Sequence, residues 1–322
     1  MVTSSALRPQ ASLLTVLLGA CLLLLPVTPA RAAGVEPLPT REIARGIHVH
    51  QGSHHAWSAH DGEDVANIGF IVGARCVAVI DTGGSPAVGA RLKAAIERVT
   101  TLPVCYVINT HMHPDHVLGN AALTTGDPGQ AFIAHVRLGP SLSARAPYYL
   151  EAFHRDGGAA LAPDAVVYPT QTVTERTFID LGDRKLELRA WPTAHTDNDL
   201  TVFDQETGTL FTGDLLFMGH LPVIDGQLRG WLHVIGELKA LDVKRAVPGH
   251  GTVTDNLRQA IVPEETYLST VLREVRAAIK AGVPIARTLD QLSATGTAGW
   301  QLADEFHRRN LTAAYAELEW ED

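Results

Sequence analysis

Four side chains of the metal-binding kind crowd into the six residues His111-Met112-His113-Pro114-Asp115-His116, directly behind the apolar run Val104–Asn109. The run reads as a β-strand. In extended backbone, residues two apart point the same way, so His111 and His113 face one centre together. Pro114 has no N–H for a sheet and fixes its own φ, so the chain leaves the strand there and aims Asp115 and His116 at a neighbouring position. Buried imidazoles and carboxylates need partners, and a metal satisfies several at once where apolar packing satisfies none. Three later segments end apolar runs in the same manner: Thr193-Ala194-His195-Thr196-Asp197-Asn198, Phe211-Thr212-Gly213-Asp214 and Pro248-Gly249-His250-Gly251. The glycines allow close backbone approach.

The rest of the chain alternates between strand and helix periodicity, an α/β pattern. Ile47–Gln51, Ala66–Val72, Cys76–Asp81 and Val104–Asn109 read as strands. Ser85 is placed as an N-cap with Pro86 at the first helical position, followed by Val88, Leu92, Ile96 and Val99 at helical spacing. That β-α-β passage predicts parallel, buried strands. Residues 141–153 read as helix, and 164–212 as strands with turns at Gly182-Asp183 and Glu206-Thr207-Gly208. A strand-to-helix passage from Leu210 to Leu241 leads to a strand at Arg245–Pro248. Tyr267, Leu268, Val271, Leu272, Val275 and Ile279 form one apolar stripe on a helix opened by Pro263 and closed by Gly282 and Pro284. A last helix, about Gln301 to Leu318, presents Leu302, Phe306, Leu311 and Leu318. The domain reading is a leader over 1–32, a linker over 33–40, one domain over 41–257, and a helical cap over 258–322 packed on the core.

The leader reading rests on the apolar run Ser12–Val27 and on Ala30-Arg31-Ala32, small residues where a signal peptidase cuts. It implies export to the periplasm or medium, with no lasting membrane anchor. Leu18-Gly19-Ala20-Cys21 resembles a lipoprotein box, but the run continues apolar past Cys21, so the cleaved leader is the preferred reading. With a formal charge of -9, the chain lacks the basic face that nucleic-acid binding needs. A small-molecule substrate is expected instead. After cleavage only Cys76 and Cys105 remain. Two buried thiols are the preferred reading; a disulfide is the alternative if their strands are neighbours.

Residues 111–116 stand as H-x-H-x-D-H. With the later histidine, the G-D aspartate and the G-H-G histidine in this order, the sequence resembles the metallo-β-lactamase superfamily over roughly residues 41 to 257. The resemblance implies a four-layer αβ/βα sandwich with two divalent metals at one edge, zinc foremost, with iron or manganese suited to the same donors. It implies that His111, His113 and His195 bind metal 1, that Asp115, His116 and His250 bind metal 2, and that Asp214 bridges them. VANIGFIVG, VAVIDTGGS, YVINTHMHPDHVLGNAAL, PTAHTDNDLTV, TGDLLF and LTAAYAELEWE are similar to an exported, SoxH-like branch called quinoprotein relay system zinc metallohydrolases. That likeness implies a functional link to periplasmic quinoprotein dehydrogenases and names no substrate.

The expected chemistry is hydrolysis of an ester, thioester, lactone or amide by a metal-activated water. β-Lactams fall within this class, and no residue selects them. Asp115 is expected to orient the nucleophile. Asp81 is read either as an outer partner of a ligand imidazole or as a cap of the Gly83-Gly84 turn. His54, His55, His60 and Trp57 lie in the polar loop 53–63, where Trp57 and His54 are candidates for touching substrate. His220 and His233 are candidates for lining the pocket. His48, His50, His135, His154 and His307 read as surface or packing residues. Two other classes compete: a mononuclear-iron persulfide dioxygenase, and a metal-binding or partner-binding protein with weak catalysis.

Overall fold

The computed structural model describes residues 1–5, 34–57 and 64–321. The leader and lipoprotein readings, which rest on residues 6–33, and the His60 reading lie outside the described residues. The chain divides into Met1–Gly34 and Val35–Asp322, and all described secondary structure belongs to the second unit.

Two sheets form the centre. The first runs in spatial order through β1 (Arg41–Ala44), β2 (Ile47–His50), β3 (Ile68–Val72), β4 (Val77–Ile80), β5 (Val104–Ile108), β6 (Ala131–His135) and β7 (Gln171–Val173). The second comprises β8 (Arg176–Asp180), β9 (Lys185–Ala190), β10 (Leu200–Asp204), β11 (Thr209–Phe217) and β12 (Arg245–His250), in reverse spatial order. β4 and β5 pair in parallel, as the β-α-β reading requires, and so do β11 and β12.

Burial shows why the layers form. In β4, Val77 and Val79 face one apolar cluster while Ala78 and Ile80 face another. A strand buried on both faces has a helix layer on one side and a second sheet on the other. On the outer side, α1 (Pro86–Val99) packs Val88, Leu92 and Ile96 against Val77, Val79 and Val107. Ser85 caps α1 by accepting from the Val88 N–H, as expected. Between the sheets, Ile47, Ile71, Ala78, Ile80 and Ile108 meet Leu186, Leu188, Leu200, Val202 and Phe211.

The outer face of the second sheet is covered by α5 (Leu228–Ala240), reached through the loop after β11, and by three helices that follow the short α6 (Leu257–Ala260): α7 (Val262–Lys280), α8 (Ile285–Gln291) and α9 (Ala303–Leu318). Short helices α2 (Pro114–Val117) and α3 (Asn120–Leu123), then the longer α4 (Leu138–Arg155), lie between β5 and β7. The stripe on α7 is buried as read at Tyr267, Leu268, Val271 and Val275, each burial contributing about 1.5–3 kcal/mol. The last helix starts at Ala303, two residues later than read, because Leu302 takes a left-handed φ of 58°. None of the described helices is long and apolar enough to cross a membrane.

The preferred reading of the cysteines is corrected. Cys76 immediately precedes β4 and Cys105 lies in its neighbour β5, with Cα atoms 5.8 Å apart, and they form a disulfide. Parallel neighbours put the two Cβ atoms within reach of one another; neither burial nor propensity reveals that pairing.

Candidate metal centre

The predicted ligands come from one strand end, one strand middle, two loops and a short helix; Asp214 does not end its strand as expected, because β11 continues to Phe217. β5 ends at Ile108, three residues before His111, so the two histidines do not lie in extended strand as expected. A turn brings them together instead, with His111 Nε2 3.0 Å from His113 Nδ1. Pro114 then opens α2, whose first turn carries Asp115 and His116. His195 lies in the loop between β9 and β10, Asp214 in the bulged middle of β11, and His250 at the end of β12.

The seven side chains converge in two overlapping groups. His111, His113, His195 and Asp214 offer ligand atoms within 4.8 Å of one another, and Asp115, His116 and His250 do the same. His195 Nε2 lies 3.0 Å from His113 Nδ1. Asp214 stands between the groups. Its Oδ2 is 3.7 Å from His111 Nε2, 3.5 Å from His195 Nε2 and 3.4 Å from His250 Nε2, while its Oδ1 is 3.3 Å from His116 Nε2. Asp115 Oδ2 is 3.5 Å from His116 Nε2 and 3.3 Å from His250 Nε2.

The outward ring nitrogens are all held. His195 Nδ1 donates to the Val223 carbonyl (2.6 Å) and His250 Nδ1 to the Val65 carbonyl (3.0 Å). A carbonyl only accepts, so each of these protons sits on Nδ1 and Nε2 turns to the centre. His116 Nδ1 is 2.8 Å from Asp81 Oδ2, and His113 Nε2 is 3.0 Å from Asp225 Oδ2. His111 Nδ1 meets Thr110 Oγ1 (3.1 Å), whose hydroxyl donates to Asp81 Oδ2 (2.7 Å). This arrangement fixes ring orientation and tautomer in metal-binding histidines.

Asp81 therefore stands directly behind the His116 ring. It also accepts from the Thr110 N–H at 2.8 Å and holds a left-handed φ of 53°, an uncommon backbone for a non-glycine residue. Asp225 was not singled out in the sequence; it lies in an irregular loop after β11, where no strand end marks it.

The donor set suits cations. His116 Nε2 and Asp214 Oδ1 are buried without a hydrogen-bond partner among the described residues, although they face each other. Burial, and then the neighbouring rings His116, His113 and His195, hold the His111 imidazole well below its usual range. Burial likewise lowers His195, to about 3. At His116 and His250 burial acts the same way, but Asp214 and Asp115 outweigh it, raising His116 well above its usual value and His250 to about 9. Burial also opposes ionisation of Asp115, yet His116 and His250 pull it down to about 2. Gly249 must be glycine here, because a Cβ on it would meet Asp214 Oδ1 at 1.8 Å.

The centre opens into a cavity of about 330 Å³ lined by His113, Asp115, His195, Asp214 and His250 together with Trp57, His55 and His220. Trp57, a candidate for touching substrate, lines the cavity, its Nε1 donating to the Gly84 carbonyl. His54 is not a lining residue; it stands edge-on to His220, which lies 5.0 Å from the His250 ring. His233 is exposed on α5 and pairs with Glu237, away from the cavity. Phe306, read as helix packing, lines the cavity and stacks on His220.

The chain matches the family model described as Metallo-beta-lactamase superfamily over residues 61–250, and it belongs to that superfamily. Among curated proteins it is similar to an atrochrysone carboxyl ACP thioesterase of Aspergillus fumigatus, 24% identical over 186 residues, which are 58% of this chain and 50% of the relative. The chain spans about half the length of the first curated relatives it matches. Among solved structures, the stereoselective inverting sec-alkylsulfatase Pisa1 from Pseudomonas sp. aligns with a TM-score of 0.64 at 14% identity, over 86% of this chain and 49% of that one. A metallo-beta-lactamase from Pontibacter korlensis aligns with a TM-score of 0.59 at 20% identity, over 72% of this chain and 99% of that one. These likenesses establish the metallo-β-lactamase fold, with the C-terminal helices in addition.

Proposed function

We propose that this chain is a binuclear metal-dependent hydrolase acting on an ester, thioester, lactone or amide. One observation carries the reading: five imidazoles and two carboxylates turn their donor atoms inward, while protein groups occupy each ring's outward nitrogen. His111, His113 and His195 would hold one cation, Asp115, His116 and His250 the other, and Asp214 would contact both. Two divalent cations bound there, zinc foremost, supply Lewis acidity and a water acidified toward neutral pH. Asp115, at the cavity wall, would orient the nucleophile. The thioesterase relative supports an acyl or thioester bond.

Membership of the SoxH-like, quinoprotein relay branch, export through a cleaved leader, and a link to periplasmic quinoprotein dehydrogenases belong to the same proposal. They rest on the sequence phrases given above. Elemental analysis of the purified full chain, followed by a screen of 4-nitrophenyl esters and acyl thioesters, tests the reading. Two divalent ions per chain with turnover of such a substrate is the expected result. One iron per chain with oxygen uptake on glutathione persulfide would replace hydrolysis by dioxygenation.

A further inference from the structure

We infer that Arg145, Tyr149 and Arg309 anchor an oxyanion group, a carboxylate or a sulfate ester, on the substrate; the word substrate rests on the hydrolase reading above. Arg145 and Tyr149 stand one turn apart on α4, and Arg309 comes from α9, beyond the residues matched to the superfamily. All three line the cavity that opens onto the metal centre.

Asp225 organises them. Its Oδ2 is taken by His113, and its Oδ1 lies 3.3 Å from Nη2 of both Arg145 and Arg309. Two guanidiniums share one carboxylate, which leaves one positive charge in excess and several N–H donors with no partner among the described residues. Both side chains are about half exposed, at 45% and 50%, so those donors reach the cavity mouth. The planar guanidinium fork fits a group with two or more acceptor oxygens.

Tyr149 supplies a second, independent sign. The residue is only 5% exposed, lines the cavity, and its hydroxyl has no hydrogen-bond partner among the described residues. Burial, reinforced by the charge of Asp225, raises its pKa, so the hydroxyl keeps its proton and stays a donor. A buried donor without an acceptor is costly, and an oxyanion seated between the arginines removes that cost. Two opposing charges line the same cavity: Asp156, which is paired with Arg155 at 3.2 Å, and Glu305, which is exposed one turn before Arg309. Trp57, Tyr148 and Phe306 flank the anchor and give the cavity an apolar wall, so the substrate joins an anionic end to an apolar body.

Calorimetry on the metal-replete full chain tests this with 4-phenylbutyrate, 3-phenylpropyl sulfate and the neutral 4-phenylbutyramide. The native chain should bind at least one anion about tenfold more tightly than the amide, the tighter one naming the source. That preference should shrink with added salt, because the arginines are half exposed. Arg145→Gln/Arg309→Gln should abolish it, Tyr149→Phe should reduce it about threefold, and Arg309→Lys should retain most of it. No preference in the native chain, or one that survives in the double variant because the metals alone hold the anion, overturns the anchor. If the double variant does not fold, Tyr149→Phe decides: an undiminished preference there overturns the anchor equally. Turnover of 4-nitrophenyl butyrate, followed separately, reports on the hydrolase reading. A native chain that turns over this ester but shows no anion preference removes the anchor alone, and preference without turnover removes the hydrolase reading alone.

Discussion

The two halves of the centre are built from similar residues under opposite electrostatic regimes. His111, His113 and His195 group with one inner carboxylate, Asp214, with Asp225 behind His113, and burial drives His111 and His195 toward the neutral form. His116 and His250 face Asp214 and Asp115, with Asp81 behind His116, and those carboxylates pull both rings toward the protonated form. Neutral imidazoles present lone pairs at neutral pH, whereas protonated ones must first release a proton. His111 and His195 are thus prepared for a cation, and His116 and His250 exchange protons for one. Asp214 belongs to both halves, so it couples them.

The coupling is broken most severely at Asp214. Asp214→Ala should lower kcat/KM by about 10³-fold or more and reduce bound metal to one equivalent or fewer. Parallel elemental analysis and kinetics check this; full metal content with native activity would show that the halves are independent. Gly249→Ala attacks the same carboxylate sterically. With its Cβ 1.8 Å from Asp214 Oδ1, the variant must displace Asp214 or the β12 end, at a cost of about 1–3 kcal/mol of stability by denaturant unfolding. Unchanged stability and metal content would mean that the strand end yields freely.

Next in size are the outer partners, which distinguish the halves. Asp81 serves both: His116 directly, and His111 through Thr110. Asp225 serves His113 alone. Loss of such a partner typically costs about 10- to 100-fold in metal affinity or activity. Asp81→Asn should therefore fall near the upper end and weaken both metals, and Asp225→Asn near the lower end with the first metal weakened selectively. Metal titrations of the two variants check the order; equal effects would show that the Thr110 relay contributes nothing.

This asymmetry also marks what the sequence makes legible. The seven inward donors are readable because each is a polar residue in or behind an apolar run of the sequence, a pattern that core packing does not produce, even though Asp214 stands inside β11 and Asp115 and His116 in α2. The βαβ register around α1 and the two-sided burial of β4 follow from the same alternation. Asp225 and Arg145 are not readable, since an irregular loop and an amphipathic helix surface present carboxylates and guanidiniums as a matter of course. Nor is the choice of ring nitrogen, Nδ1 in His113 and Nε2 in the others, because it depends on whether the Asp225 or the backbone acceptor lies behind the ring. Asp81 stood between these cases: its strand-end position was visible, but the fold alone brings it to His116. Cys76 and Cys105 bond because β4 and β5 are neighbours, a fact of pairing and not of composition.

The smallest expected effect lies behind both halves, at Glu264 of α7. The residue is fully buried; its Oε2 accepts from the Phe217 N–H at 3.1 Å, and its Oε1 has no partner among the described residues. Phe217 in turn stacks on His250 and lies edge-on to His195, so Glu264 braces one ring from each half. Burial, with Asp214 adding to it against the Phe217 bond, raises the Glu264 pKa well above 4.5. The folded protein then binds a proton there that the unfolded chain has released at neutral pH, and stability falls as pH rises. The contribution is complete below about pH 4.5 and is lost progressively as pH approaches the raised folded value, with a limiting slope of about 1.4 kcal/mol per pH unit. Glu264→Gln keeps the acceptor for Phe217 and removes the ionisation. Its stability relative to the native chain should rise between pH 5 and about pH 8, measured by urea unfolding of the metal-replete proteins. A flat difference across that range would mean that Glu264 is ionised in the folded state, and that the brace is a carboxylate competing with Asp214 for the same imidazoles.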